Sequence, residues 1–172
     1  TGEVVVFHDT DFARFGGDKT LVNDMPFADV RGRDVGAGHH APTLDEALDV
    51  VVARNGLLNI EVKGNRIEPD DYTSVHELEH KAHTARAVAA VMMRRSASER
   101  ARCMYSTFDP VVFITLRMAG VGPLAFLFDA KHTGKRRGPV LARLLAPDGL
   151  HPHHPLITPE RMRVWKRRGA FV

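Results

Sequence analysis

Short apolar runs alternate with helix-like segments along most of this chain, and this alternation constrains the fold more than any other feature. Strand patterns lie at residues 57–63, 102–106, 124–129 and 150–153, and helix patterns lie between them. In a chain of 172 residues, such alternation predicts parallel strands joined by crossover helices. We therefore expect an α/β fold built on a parallel sheet.

A parallel sheet of this kind either closes into a barrel or stays open and doubly wound. The open dinucleotide-binding sheet requires a glycine-rich turn between a strand and a helix, and no glycine cluster of this chain has that placement. The sequence therefore favours a TIM-type (β/α)8 barrel. A complete barrel needs roughly 200 to 250 residues, so we expect the barrel to be incomplete in this chain.

Two of the helix patterns begin with a capping box. The Thr43–Glu46 pair has the required spacing and precedes an apolar face, which predicts a helix over 44–54. The Ser74–Glu77 pair has the same spacing and predicts a long helix that ends near Arg95. Three more helix patterns follow, at residues 110–118, 140–145 and 159–168.

The N-terminal part of the chain has little periodicity. Residues 4–7 are β-branched or aromatic and predict a short strand that ends in His8 and Asp9. Residues 10–41 contain several glycines and no regular apolar repeat, so we expect a long surface loop or insertion, which is often a functional segment. Since no linker is visible, residues 1–172 are expected to form a single partial barrel domain.

Composition excludes several classes of protein. The single cysteine, Cys103, cannot form an intramolecular disulfide, which favours a reducing compartment such as the cytoplasm. The formal net charge of +3 reflects a small excess of bases without a basic stripe, so nucleic acid is not an expected partner. No apolar run approaches the roughly 20 residues that a membrane span needs, so we expect no membrane span.

Several short motifs follow one another in a fixed order along the chain. The clearest are Val4–Asp9, which ends in His-Asp, Pro42–Leu48, Asn59–Lys63 and Tyr105–Phe108. Looser matches are Phe12–Arg14, Gly16–Gly17, Leu150–Pro152 and Arg168–Val172. In this order they resemble the glycerophosphodiester phosphodiesterase family. The resemblance implies a TIM-type barrel that hydrolyses a small glycerophosphodiester to sn-glycerol 3-phosphate and an alcohol, with a divalent cation, in lipid and glycerol metabolism.

Glu61 and Lys63 are the metal and phosphate candidates in this resemblance. Residues i and i+2 of a strand point the same way, roughly 6 to 7 Å apart, so both side chains would enter the mouth of a barrel. A carboxylate suits a hard cation such as Mg²⁺ or Ca²⁺, and an ammonium group suits a phosphate. Outside a barrel, such a pair would more often face solvent.

His8 is the candidate for proton transfer, since protonation of an alkoxide leaving group calls for a side chain that titrates near neutral pH. This role follows from its place in the family's His-Asp pair. Asp9 either orients the imidazole or caps the following turn, and the sequence does not choose between the two.

Three motifs of the family have no counterpart in this chain: HRG and ExD upstream of Val4, and WTVN after Val172. They would bring a second catalytic histidine, two further metal ligands and a final strand. We therefore expect a central fragment with four barrel strands, one outer hairpin strand and the start of another strand. Alone, it should be inactive, and further chain segments or a partner at the sheet edges should supply the missing strands.

Two other functions remain open. The segment His76-Glu77-Leu78-Glu79-His80 fits the H-E-x-x-H pattern of zinc peptidases, with His83 and Glu99 as further potential ligands. However, the apolar stripe of this helix runs through Leu78 and Ala82, which places the histidines on a more exposed face and predicts a structural outer helix. The other alternative is a barrel relative that binds phosphodiesters without hydrolysing them.

Overall fold

The structure is a computed structural model that describes residues 3–64, 75–129, 140 and 143–172. The chain divides into two compact units, one that ends at Gly56 and one that begins at Leu57. No helix in the described ranges is long and apolar enough to cross a membrane.

In the first unit, the predicted strand at residues 4–7 forms only one isolated bridge. Val5 pairs with Thr43 in antiparallel orientation, and the N–H of Val6 donates to the carbonyl oxygen of Pro42 at 2.8 Å. The prediction of a strand was therefore wrong in extent. A β-branched run forms a regular strand only where a second extended segment pairs along its length, and the described residues of this unit provide such pairing at a single point.

Residues 10–41 contain more structure than the expected loop. They form two 3₁₀ turns, Ala13–Phe15 and Val22–Asp24, and helix α1, Phe27–Gly32. Their apolar side chains make a small core around Phe12, Val30 and Ala41, and the ring of Phe12 stacks on that of Phe7 at 4.6 Å between centroids. Because these apolar residues are irregularly spaced along the chain, the sequence has no periodic pattern that could have predicted this core.

Helix α2, Leu44–Ala53, begins with the predicted capping box. The hydroxyl of Thr43 accepts from the N–H of Glu46 at 3.1 Å, and the Glu46 carboxylate accepts from the N–H of Thr43 at 2.8 Å. Arg31 binds the same carboxylate through two hydrogen bonds of 2.7 and 3.0 Å. The N-terminus of α2 is therefore held by both local and distant contacts.

The second unit contains a four-stranded sheet. Its strands are β1, Leu58–Glu61, β2, Cys103–Thr107, β3, Leu124–Phe128, and β4, Gly149–Pro152. All neighbours pair in parallel, in the order β1-β2-β3-β4. Successive strands are neighbours in this way in a (β/α)8 barrel, whereas a doubly wound sheet reverses its order at a switch point. The predicted parallel α/β architecture is confirmed.

Phe171 lies where the sequence predicts the start of a strand, and it makes one isolated bridge. It forms a parallel bridge with Gly149, and the N–H of Leu150 donates to the Phe171 carbonyl oxygen at 2.8 Å. The aromatic ring of Phe171 lies against the Cα of Gly149 so closely that a Cβ there would overlap it. A side chain at position 149 would therefore require the Phe171 ring to move.

The second unit contains the helices α3, Val75–Arg94, α4, Ala97–Arg100, α5, Pro110–Met118, and α6, Pro159–Arg167. The bounds of α3, α5 and α6 are close to the predicted ones, whereas the short helix α4 was not predicted. A 3₁₀ turn spans His154–Leu156, and residues 140 and 143–145 are helical. Ser74, the predicted cap of the long helix, lies outside the described residues.

Aromatic contacts fasten the helices to one face of the sheet. Phe126 is fully buried, and its ring meets the ring of Phe113 on α5 edge to face at 6.1 Å. The ring of Phe128 meets the indole of Trp165 on α6 in the same way at 6.0 Å. The face that carries Phe126 and Phe128 is therefore the helix-packed face, and alternate strand residues point to the opposite face.

We predict that Leu116→Ala lowers the free energy of unfolding of the second unit by about 2 to 5 kcal/mol, because it leaves a cavity in a close-packed interior. Leu116 of α5 is fully buried. The control is Met118→Ala on the same helix, where the side chain is 84% exposed. Urea unfolding of both variants measures the difference, and equal destabilisation would contradict the proposed packing of α5.

Candidate active site

Glu61 and Lys63 lie at the carboxyl end of β1. Glu61 is the last residue of the strand, and both side chains are exposed, as is Asn59. Between them, Ile60 and Val62 are buried. The predicted division of β1 into a polar and an apolar face is therefore confirmed, and the polar face is the one opposite the helices.

A row of small side chains crosses the sheet from Glu61. Glu61 pairs with Ser106 of β2, Ser106 pairs with Ala125 of β3, and Ala125 pairs with Gly149 of β4. Residues paired in this way point to the same face of a sheet. Ser106 is therefore the small side chain next to the Glu61 carboxylate, and Ala125 and Gly149 continue the row on β3 and β4.

Ser106 is 1% exposed, and its hydroxyl oxygen has no hydrogen-bond partner in the described part of the chain. A buried polar atom without a partner is destabilising by about 1 to 3 kcal/mol. Such an atom is rare in folded proteins, and here it lies in the same layer as the Glu61 carboxylate.

His151 belongs to the same face of the sheet. It lies on β4 two residues after Gly149, and its imidazole meets the ring of Phe171 edge to face at 6.2 Å. The side chain is half-buried, and this burial lowers the pKa of His151. The buried Leu150 alternates with His151 along β4. This alternation was the sequence signal that could have assigned His151 to the face opposite the helices.

In the first unit, His8 takes part in a short chain of ionic contacts. Its Nδ1 lies 2.8 Å from Oδ1 of Asp9, and Oδ2 of Asp9 lies 2.7 Å from Nε of Arg14. The His8 side chain is 80% exposed, whereas that of Asp9 is 24% exposed. Hydrogen bonding to His8, with a further contribution from Arg14, lowers the pKa of the Asp9 carboxyl.

The contact with Asp9 has a direct chemical consequence for His8. A carboxylate at Nδ1 favours the tautomer that carries a proton there, and leaves Nε2 available for proton exchange. Of the two roles that the sequence left open for Asp9, the geometry supports orientation of the imidazole.

The zinc-peptidase pattern gains no support from the structure. His80 is half-buried and His83 is exposed, while the side chains of His76 and Glu77 lie outside the described residues. Glu99 binds Arg95 at 3.4 Å and caps helix α4, so it is already engaged. No three histidine, cysteine or acidic side chains within the described ranges are grouped to hold a metal ion.

One carboxylate at the sheet edge nevertheless fits a hard divalent cation. Mg²⁺ keeps several waters and is often held by one or two carboxylates together with substrate phosphates. Glu61 is exposed, lies at the carboxyl end of a parallel strand and has the small Ser106 beside it on β2. Its environment therefore suits one ligand of such a site.

The sequence did not predict an ion pair that lies at the carboxyl edge of the sheet. Nζ of Lys81 on α3 lies 3.1 Å from Oδ2 of Asp109, which follows β2, and both side chains are nearly inaccessible. Oδ1 of Asp109 accepts from the N–H groups of Val111 and Val112 at 2.8 and 3.3 Å and so caps α5. The sequence Asp109-Pro110 predicts this cap, but nothing in the sequence indicates that Lys81 pairs with Asp109.

Parallel strands in sequential order with helices on one face are the arrangement of a TIM-type α/β barrel, and comparison with solved structures supports this fold. A structure from Silicibacter pomeroyi, assigned as a glycerophosphoryl diester phosphodiesterase, superposes with a TM-score of 0.75 at 22% sequence identity, over 98% of this chain and 66% of that one. A glycerophosphodiester phosphodiesterase from Parabacteroides distasonis gives 0.72 at 19% identity, over 98% and 63%.

A third similar structure, a phosphodiesterase from Oleispira antarctica in complex with the product sn-glycerol-3-phosphate, has a TM-score of 0.74 and 21% identity, over 98% of this chain and 65% of that one. This chain therefore spans slightly less than two thirds of the length of these structures. Over residues 1–172 it matches the glycerophosphoryl diester phosphodiesterase family, and it belongs to that family. No match was found among curated protein sequences.

We predict that acidification destabilises the second unit through His151. Because its pKa is lowered in the folded state, the unfolded chain takes up the proton first as pH falls. The stability that neutral His151 contributes is fully present above the ordinary histidine pKa of about 6.5. It is lost as the pH falls through the pKa that His151 has in the folded state. Urea unfolding between pH 7.5 and 5 should show a weaker pH dependence in His151→Leu than in the wild type. An identical dependence would refute the inferred pKa shift.

Proposed function

We propose that the full-length protein hydrolyses glycerophosphodiesters to sn-glycerol 3-phosphate and an alcohol, with a divalent cation. The observation that carries the proposal is the Glu61 and Lys63 pair at the carboxyl edge of a parallel sheet, in a chain of the glycerophosphoryl diester phosphodiesterase family. Active sites of parallel α/β barrels lie at this edge. The product bound in the Oleispira antarctica phosphodiesterase supports the same substrate class.

In this proposal Glu61 holds the cation, Mg²⁺ or Ca²⁺, and Lys63 binds the phosphate. The cation would polarise the phosphoryl oxygens when bound. The Lys63 ammonium group is exposed at the same edge and supplies a compact positive charge for a phosphate oxygen.

His8 transfers the proton to the leaving alcohol in this proposal. Its exposed imidazole can meet a substrate, and Asp9 holds the proton on Nδ1 so that exchange takes place at Nε2. Arg14 keeps Asp9 ionised and in place. Asp9 and Arg14 thus position His8 through contacts within the first unit.

We expect Glu61→Gln to reduce cation-dependent turnover of glycerophosphocholine by about 100-fold or more, because the amide removes the charge that binds the cation. The control is Glu79→Gln, an exposed carboxylate on α3. Release of glycerol 3-phosphate measures the rate at several Mg²⁺ and Ca²⁺ concentrations. Wild-type turnover and metal dependence in Glu61→Gln would disprove this assignment.

Lys63→Met should raise the KM for the phosphodiester about 10- to 100-fold, since a hydrogen bond to a charged group is worth about 1.5 to 3 kcal/mol. Lys19→Met, at an exposed lysine of the first unit, is the control. Steady-state kinetics on both variants separates KM from kcat. An unchanged KM in Lys63→Met would remove the phosphate role from this residue.

A further inference from the structure

The buried ion pair of Lys81 and Asp109 lies directly behind the main chain that carries the site residues. Gly64 follows Lys63, and a Cβ on Gly64 would lie 2.8 Å from Oδ2 of Asp109 and 3.2 Å from Cγ of Lys81. The backbone of Gly64 is outside the left-handed region, so an alanine here would not strain the backbone but would have to displace the Asp109 carboxylate. The chain that leaves β1 thus rests against the ion pair.

Burial makes this pair unusual. The side chains of Lys81 and Asp109 are 7% and 13% exposed, and removal of two charges from water is costly. Replacement of a buried ion pair by apolar residues of similar size often leaves the stability of a protein unchanged or raises it. A buried pair of this kind is therefore weak as a source of stability, and its position suggests a different role.

Asp109 connects three elements through one carboxylate. Oδ1 caps α5, Oδ2 reaches Lys81 on α3, and the same group lies against the chain that leaves β1. The backbone of Asp109 lies two residues after the end of β2. The N–H of Asp109 also donates to the hydroxyl of Thr107 at 3.1 Å, which fixes the exit from β2. A shift of this carboxylate would move the exit of β1 as well.

We propose that Lys81 and Asp109 are positioning residues that set the direction in which the chain leaves β1, and so place the Lys63 ammonium group for phosphate binding. The inference rests on the proposed function for the identity of the ligand. The ion pair itself does not touch the phosphate; it acts through the backbone of Gly64.

The test uses the full-length protein and a variant that retains the helix cap. In Lys81→Met with Asp109→Asn, the Asn oxygen still caps α5 and both charges of the pair are removed together. Gly64→Ala tests the same contact with both charges in place. We expect each variant to raise the KM for glycerophosphocholine about tenfold, with kcat within about threefold of the wild type.

Amide hydrogen exchange supplies a readout that does not depend on activity. The N–H of Val62 donates to the Ser106 carbonyl oxygen at 2.8 Å and reports on the exit of β1. Its exchange should accelerate at least tenfold in both variants. Exchange at Leu150, on β4, should stay within about twofold of the wild type.

The chain offers matched controls for both changes. Arg95→Met with Glu99→Gln removes a second ion pair whose carboxylate also caps a helix, and Gly32→Ala adds a Cβ where no atom lies within 4 Å. Both controls should keep the wild-type KM and Val62 exchange. If either control raised the KM and accelerated the exchange of Val62 as much as the test variants do, the proposal would be overturned.

The outcomes separate this inference from the proposed function. Unchanged exchange at Val62, or equal acceleration at Val62 and Leu150, overturns the positioning role, because the second result means a general loss of stability. Accelerated exchange with an unchanged KM also overturns it. A wild-type protein without glycerophosphodiesterase activity refutes the proposed function instead, and the exchange data then decide alone whether the ion pair sets the exit of β1.

Discussion

Parallel pairing of the four strands in sequential order is the constraint on which the rest of the second unit depends. It brings the carboxyl ends of all four strands to one edge of the sheet. The aromatic contacts of Phe126 and Phe128 cover one face with α5 and α6. The other face is left to Glu61, to the small residues beside it and to His151, and its chemistry follows from that division.

Asp109 shows how the sheet edge combines packing with chemistry. A single buried carboxylate caps α5, pairs with Lys81 and supports the chain after β1. The same edge carries the exposed Glu61 and Lys63. The residues that stabilise the edge and those that face a ligand are therefore different, although they are close neighbours along and across the strands.

Much of the fold could be read from local patterns because those patterns have local physical causes. The Thr43 and Glu46 cap is a contact within one helical turn, and the alternation at Ile60, Glu61 and Val62 follows from strand geometry. The strand predicted at residues 4–7 was overextended, because pairing depends on a second segment. The small core around Phe12 was missed, since its members are distant in sequence.

The sequence by itself determined the four strands and the three longer helices of the second unit, and which side chains of β1 face away from the apolar layer. It also determined the family, through motifs that keep their order along the chain. Only the tertiary structure decided that Ser106 lies beside Glu61, that Asp9 connects His8 with Arg14, and that Lys81 reaches Asp109 behind Gly64. The reason is that strand register and side-chain contacts between distant segments depend on packing of the whole unit, which no local spacing records.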